Sequence, residues 1–127
     1  MVNNVRLLTD IDVVIPIPLH TKRLRQRGFN QALLLAHAMS TASSIPLSWD
    51  NLVRVRPTRP QVELTGEERI KNVAGAFAVR RLNEITAKRV MLVDDVFTTG
   101  ATMNECAAVL KDAGAAQVVA FTLARAL

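Results

Sequence analysis

Cysteine occurs once, at Cys106, which excludes an internal disulfide and any multi-cysteine zinc site within the chain. Tyrosine is absent, and Trp49 with four phenylalanines makes up the aromatic complement. A broad platform of successive exposed rings for stacking single-stranded nucleic acid is therefore not available. No apolar run approaches the ~18 residues that a bilayer-crossing helix needs; the longest candidate, Ala32 to Ala38, is broken by His37. The first residues, Met1-Val2-Asn3-Asn4-Val5-Arg6, lack the apolar core of a secretory signal. The expectation is a cytoplasmic protein with no membrane partner. Internal repeats and low-complexity segments are also missing.

What is present suits one α/β domain spanning residues 1–127. Half of the residues (50%) are hydrophobic, and a domain near this size buries roughly two-thirds of its unfolded surface. The net charge is +5, from 16 basic and 11 acidic residues. The excess is clustered at Lys22, Arg23, Arg25 and Arg27, at Arg54, Arg56 and Arg59, and at Arg69 and Lys71. Such a surface favours an anionic partner, a polyphosphate or a nucleic acid, or is simply a solvated face.

Asp12 to Ile17 reads as a short buried strand stopped by proline, and Pro16 to His20 as a stiff loop. Asn30 is placed to cap a helix over Gln31 to Thr41. Leu33, Leu34, His37 and Ala38 share one side of that helix, and Leu35, Ala36 and Met39 spread apolar character round it. A largely buried helix is expected, with His37 packed and hydrogen-bonded. Leu52 to Val55 is a second strand. Arg56 to Lys71 is a long polar loop of the kind that often carries function, or holds a short helix at Thr65 to Ile70. Ala76 to Val79 is a short strand. Arg89 to Val93, a near-continuous apolar run, reads as a buried central strand of a parallel sheet. Asp94 to Ala101 is a loop and Thr102 to Ala113 a helix. Thr102 and Glu105 fit a capping box and Gly114 a left-handed stop. Gln117 to Leu123 is the last strand. Strands alternating with helices predict a mostly parallel sheet flanked by helices. Met39, Met91, Met103 and Cys106 fall at core positions, and Trp49 reads as an edge packing residue.

Ligands of parallel α/β sheets bind at the carboxyl ends of strands, where Asp94 to Thr102 lies. Gly100 permits a tight turn and close backbone approach. Ala101 keeps the loop slim, and Thr98, Thr99 and Thr102 bring hydroxyls. The helix that follows presents N–H groups and a partial positive charge of roughly +0.5. Together these make a phosphate socket. Asp94 and Asp95 would repel a phosphate, so their task differs. Adjacent carboxylates accept hydrogen bonds from a vicinal diol, or hold water on a divalent metal. A phosphate socket beside a diol reader describes a ribose 5-phosphate. The string matches neither a Walker A loop nor a Gly-x-Gly-x-x-Gly dinucleotide loop.

Val90 to Thr102 resembles the 5-phosphoribosyl-1-diphosphate (PRPP) signature of type I phosphoribosyltransferases. That resemblance implies that Asp94 and Asp95 bind the ribose hydroxyls and serve catalysis. It implies that Thr98, Thr99, Gly100, Ala101 and Thr102 bind the 5-phosphate. Val14 to His20 with Arg27-Gly28-Phe29-Asn30-Gln31 resembles the ComF/GntX branch. So do Gln61-Val62-Glu63-Leu64-Thr65, Glu68-Arg69, Lys71-Asn72-Val73 and Ala76-Phe77. The family's pyrophosphate loop falls at Leu19, His20 and Thr21, the available donors beside the prolines, with Arg54 on the same side. Its closing loop falls near Arg69, a cation able to stabilise leaving pyrophosphate. Mg²⁺ is expected to come with the PRPP, with no direct protein ligand, and to be touched through water by Asp94 and Asp95.

The activity implied is transfer of the 5-phosphoribosyl group to a nitrogen acceptor. Little chain precedes the first strand, so the acceptor-reading hood and the Cys-rich zinc segment of ComF/GntX relatives are expected to be absent. This leaves open a PRPP- or nucleotide-sensing module without transferase activity. It also leaves open an accessory factor in DNA uptake, which the ComF resemblance implies, acting with single-stranded DNA or a helicase. The superfamily suggests a homodimer.

Overall fold

Four apolar residues in succession, Val90 to Val93, can be buried only if both faces of their strand are covered. The computed structural model does this. It describes residues 10–18, 30–55, 65, 67–68, 74–97 and 100–125. Three strands, β1 (Val13–Pro16), β4 (Arg89–Phe97) and β5 (Gln117–Arg125), form a parallel sheet in the order β1-β4-β5. Val14 faces Met91 and Ile15 faces Leu92 across one seam. Val93 faces Phe121 and Asp94 faces Thr122 across the other. On the far side of β1 the backbone of Val14 bonds to Pro46 and Ser48, at 2.9 and 3.0 Å.

The period of two sorts these side chains into two layers. Val13, Ile15, Val90 and Leu92 pack under helix α2 (Ala101–Asp112), meeting Met103, Cys106 and Leu110. Val14, Met91 and Val93 pack under helix α1 (Gln31–Ser43), meeting Ala36 and Ile45. Each fully buried Leu or Val contributes about 1.5–3 kcal/mol by leaving water. Strands β2 (Leu52–Arg54) and β3 (Phe77–Val79) form a separate antiparallel ribbon, which adds Leu52 and Phe77 to the α2 layer. A 3₁₀ turn at Leu82–Glu84 leads to the fully buried Ile85. Among the described residues no helix is long and apolar enough to cross a membrane.

Several sequence expectations are corrected. Helix α1 buries Ala32 and Ala36, with Leu35 and Met39 half-buried, while Leu34 and His37 are exposed. His37 is thus not the packed histidine expected. The apolar residues run all round the helix, so hydropathy alone could not select its buried face. The strand over 89–93 continues through Asp94 and Asp95 to Phe97, because β5 is long enough to keep pairing with it. The Thr102–Glu105 capping box does not form. Gly100 is the N-cap of α2, and Glu105 Oε1 accepts the N–H of Gly75 at 3.1 Å. Trp49 is 62% exposed rather than packed at an edge.

Candidate functional site

The site is built where the carboxyl end of β4 meets the amino end of α2. Asp94 is half-buried near the end of β4, and Asp95 follows it in the same strand. Gly100 then takes φ 82°, in the left-handed region that favours glycine. Its carbonyl accepts the N–H of Asn104 at 2.7 Å and starts the helix. A glycine N-cap brings no side-chain oxygen to the amides of the first turn, where the helix dipole is positive. Ala101 is buried and Thr102 half-buried. Below them Met103 and Cys106 anchor the helix in the core. Burial pushes the Cys106 thiol well above its ordinary range, so it is inert as a nucleophile.

Two other segments reach this end of the sheet. Past β1, the Ile17 N–H donates to Val93 O at 2.8 Å, so the ladder carries the chain as far as the prolines. Asn30 caps α1, its Oδ1 accepting the N–H of Ala32 at 2.9 Å, while its Nδ2 donates to Ile17 O at 3.4 Å. Arg54, the last residue of β2, donates from Nε to Pro18 O at 2.9 Å. Its guanidinium lies 4.8 Å from the ring centroid of Phe77. Burial weakens its hold on the proton, and the charge of Asp94 strengthens it; an arginine stays protonated under such a shift.

Of the expected site residues, the structure sets Asp94 within electrostatic reach of Arg54, places Gly100, Ala101 and Thr102 at the start of α2, and places Asp95 in β4. Leu19, His20, Thr21, Arg69, Thr98 and Thr99 lie outside the described residues. Of the alternative short helix at Thr65 to Ile70, Glu67 and Glu68 are helical, and the Thr65 hydroxyl accepts the N–H of Glu68 at 3.3 Å. Sequence reasoning placed Asn30 as the cap of α1 but missed its bond to Ile17 O, and it missed Phe77 beside Arg54. Their roles depend on β2–β3 pairing and on contacts across the fold, for which no local pattern exists. Among the described residues no three His, Cys, Asp or Glu side chains gather as a metal-ligand set. A hard oxygen donor such as Asp94 suits a divalent ion that keeps most of its other ligands.

The model of the phosphoribosyl transferase domain family matches residues 29–127, and the chain belongs to that family. Its curated relatives are of the ComF and YhgH kind. It is 40% identical over 117 residues to competence protein F of Haemophilus influenzae, covering 91% of this chain and 51% of the relative. It is 36% identical over 114 residues to competence protein ComFC of Bacillus subtilis, covering 89% and 44%. To the DNA utilization protein YhgH of Escherichia coli K12 it is 35% identical over 118 residues, covering 91% and 50%. The chain spans about half the length of these relatives. Among solved structures, it resembles the allosteric regulatory enzyme of purine biosynthesis with a TM-score of 0.62 at 21% identity, covering 95% of this chain and 24% of that one. It resembles the purine phosphoribosyltransferase of Pyrococcus horikoshii with a TM-score of 0.57 at 20% identity, covering 98% and 72%. These structural likenesses bear on the fold, which is that of the type I phosphoribosyltransferases.

Proposed function

We propose that residues 1–127 act as one phosphoribosyltransferase-like unit that binds PRPP at the junction of β4 and α2. The observation that carries this reading is that Asp94 lies in the carboxyl-terminal half of the central strand, on the α2 side, with the glycine-capped start of α2 following that strand. A carboxylate accepts hydrogen bonds from a ribose diol, and the helix start receives the 5-phosphate. Asp94 and Asp95 read the diol, and Thr98, Thr99, Gly100, Ala101 and Thr102 hold the 5-phosphate. Leu19, His20, Thr21 and Arg54 serve the diphosphate end. A Mg²⁺ ion bound with the diphosphate would supply charge neutralisation there, and Asp94 and Asp95 are the residues that would hold its water. The expected reaction forms a bond from an acceptor nitrogen to C1 of the ribose. The C1–O bond to diphosphate breaks, pyrophosphate leaves with the bonding pair, and the nitrogen sheds a proton. Arg69 is the cation placed by family resemblance to stabilise that leaving group. This chain's contribution is orientation and fixed charge.

A second reading, that the protein serves DNA uptake by binding single-stranded DNA or a helicase, draws support from the names of its relatives and from the +5 charge. A non-catalytic PRPP sensor is compatible with the same site. Equilibrium binding at two salt concentrations separates the ligands. PRPP with Mg²⁺ should bind saturably at both. A single-stranded oligonucleotide held by several Lys and Arg should weaken steeply between 50 and 200 mM salt, by powers of ten. Tight, salt-sensitive oligonucleotide binding with no PRPP binding would overturn the first reading in favour of the second. Consumption of PRPP with release of pyrophosphate in the presence of an acceptor would distinguish enzyme from sensor.

A further inference from the structure

The layer under α2 is apolar until it reaches the carboxyl ends of the parallel strands, where two residues of opposite charge enter it. On β4, Val90 and Leu92 are fully buried in this layer, and by the period of two Asp94 is the next residue on the same face. On β2, Leu52 is buried in the same layer, and Arg54 is the next residue on that face. The ribbon register agrees. Arg54 lies opposite Phe77 and Leu52 opposite Val79, and both partners pack in or against the layer. Two apolar runs, one from the parallel sheet and one from the ribbon, thus end on an aspartate and an arginine. Cys106, buried in the same layer on α2, lies within electrostatic reach of both.

Arg54 is fixed from two sides. Its Nε donates to Pro18 O at 2.9 Å, and its guanidinium lies 4.8 Å from the centroid of the Phe77 ring. Pro18 is carried on the sheet, because the residue before it, Ile17, donates its N–H to Val93 O, next to Asp94. These contacts set the cation at the level of Asp94, which lies within its electrostatic reach.

We infer that Arg54 is a positioning residue for Asp94, its fixed charge keeping that carboxylate in place as the acceptor for one hydroxyl of the ribose diol. This rests on the PRPP reading above and concerns the diol rather than the diphosphate. A carboxylate half out of water at the end of an apolar layer needs a compensating charge, and the attraction between the two is stronger there than in bulk water. Without the cation, the carboxylate gains by turning out to water, and the acceptor leaves the place where the strand presents it. Arginine suits the task because it keeps its charge when largely buried, and its ring contact and its bond to Pro18 O leave it one orientation.

The test uses ribose 5-phosphate and its 2-deoxy and 3-deoxy forms, each lacking one hydroxyl of the diol. Binding is measured with EDTA present, so that only the chain's own groups are read. The proteins are native, Asp94→Asn, Arg54→Met and the double variant. Loss of a hydroxyl that meets a carboxylate should weaken binding to the native protein about 10- to 100-fold, the range for a hydrogen bond to a charged group. One of the two deoxy penalties should fall roughly fivefold to tenfold in Asp94→Asn, the difference between a charged and a neutral acceptor. That penalty marks the hydroxyl that Asp94 reads. Arg54→Met should lower the same penalty by a similar factor and leave the other within about twofold of native, and the double variant should lower it no further. Arg54→Gln keeps a donor for Pro18 O and removes the charge; it should show the same fall, and it carries the comparison if Arg54→Met does not unfold cooperatively. A native penalty in the arginine variants would overturn the inference. Equal falls in both penalties would overturn it by showing a general distortion, as would additivity in the double variant. A native protein that binds neither PRPP nor ribose 5-phosphate, or an Asp94→Asn variant in which neither penalty falls, would sink the reading of the site and this inference with it. A penalty that depends on Asp94 and ignores Arg54 would sink the inference alone.

Discussion

Asn51 is fully buried and stands immediately before β2, three residues from Arg54. Its Oδ1 accepts the N–H groups of Arg80 at 3.0 Å and Arg81 at 2.7 Å. Its Nδ2 donates to Arg81 O at 3.1 Å. The side chain thus closes the open end of the β2–β3 ribbon, beside the exposed cluster in which Arg81 pairs with Asp50 and Glu84. Asn51→Ala removes three hydrogen bonds worth roughly 0.5–1.5 kcal/mol each; the Arg80 N–H keeps its bond to the backbone carbonyl of Asn51 at 2.9 Å, whereas the Arg81 N–H and carbonyl lose the Asn51 side chain. Arg81 is half-exposed and its backbone regains some solvation, which leaves a cost of about 2–4 kcal/mol. For a domain of this size that lowers the midpoint of thermal unfolding by roughly 6–15 °C. Circular dichroism during thermal and urea unfolding reads the effect. Asn51→Asp provides the chemical control. It keeps the acceptor facing the two N–H groups but sets a second acceptor against Arg81 O. It should cost at least as much as alanine at neutral pH, and less in acid, where a protonated carboxyl can donate. A loss below about 1 kcal/mol in Asn51→Ala would refute the reasoning, because it would mean that these bonds are replaced by water at no net cost.

Gly114→Ala should destabilise the fold by about 1–2 kcal/mol from backbone strain, since Gly114 has φ 97° and a Cβ there would meet the Thr86 side chain at 3.3 Å; urea unfolding checks it. The Asp12 carboxyl is held below its ordinary range by hydrogen bonds from the Arg89 side chain and backbone. A depressed folded pKa adds stability above the unfolded value, lost as pH falls through the folded one. The stability difference between native protein and Asp12→Asn should therefore be present at neutral pH and shrink progressively as pH falls below about 4, the unfolded value; a difference that stays constant down to the onset of acid unfolding would contradict it. Cys106, buried with its thiol pushed up, should react with a thiol reagent only as fast as the protein opens, and at once in denaturant.

The parts of the fold that were legible in the sequence are those written in local pattern. The apolar run at Val90 to Val93 announced a central parallel strand, Asn30 announced a helix cap, and Gly114 a helix stop. The strand-to-helix turn proposed to hold the phosphate was legible because Asp94, Gly100 and Thr102 fall at fixed spacing along it. What escaped depends on partners distant in the chain. Strand β4 outruns its apolar run because β5 pairs with it. Glu105 leaves its expected capping role for the N–H of Gly75 across the fold. The expected strand from Leu52 exists but joins β3 in a separate ribbon, and only that pairing sets Arg54 against Phe77. Helix α1 is apolar around much of its circumference, so the sheet beneath it, rather than its own periodicity, selects Ala32 and Ala36 for burial.

Calorimetric titration of PRPP with Mg²⁺ into the native protein and into Asp94→Ala/Asp95→Ala addresses the proposed site itself. Saturable binding by the native protein, abolished in a variant that still unfolds cooperatively, is the expected result. Equal PRPP binding by both proteins would move the ligand away from the end of β4, and binding by neither would contradict a PRPP site in this chain.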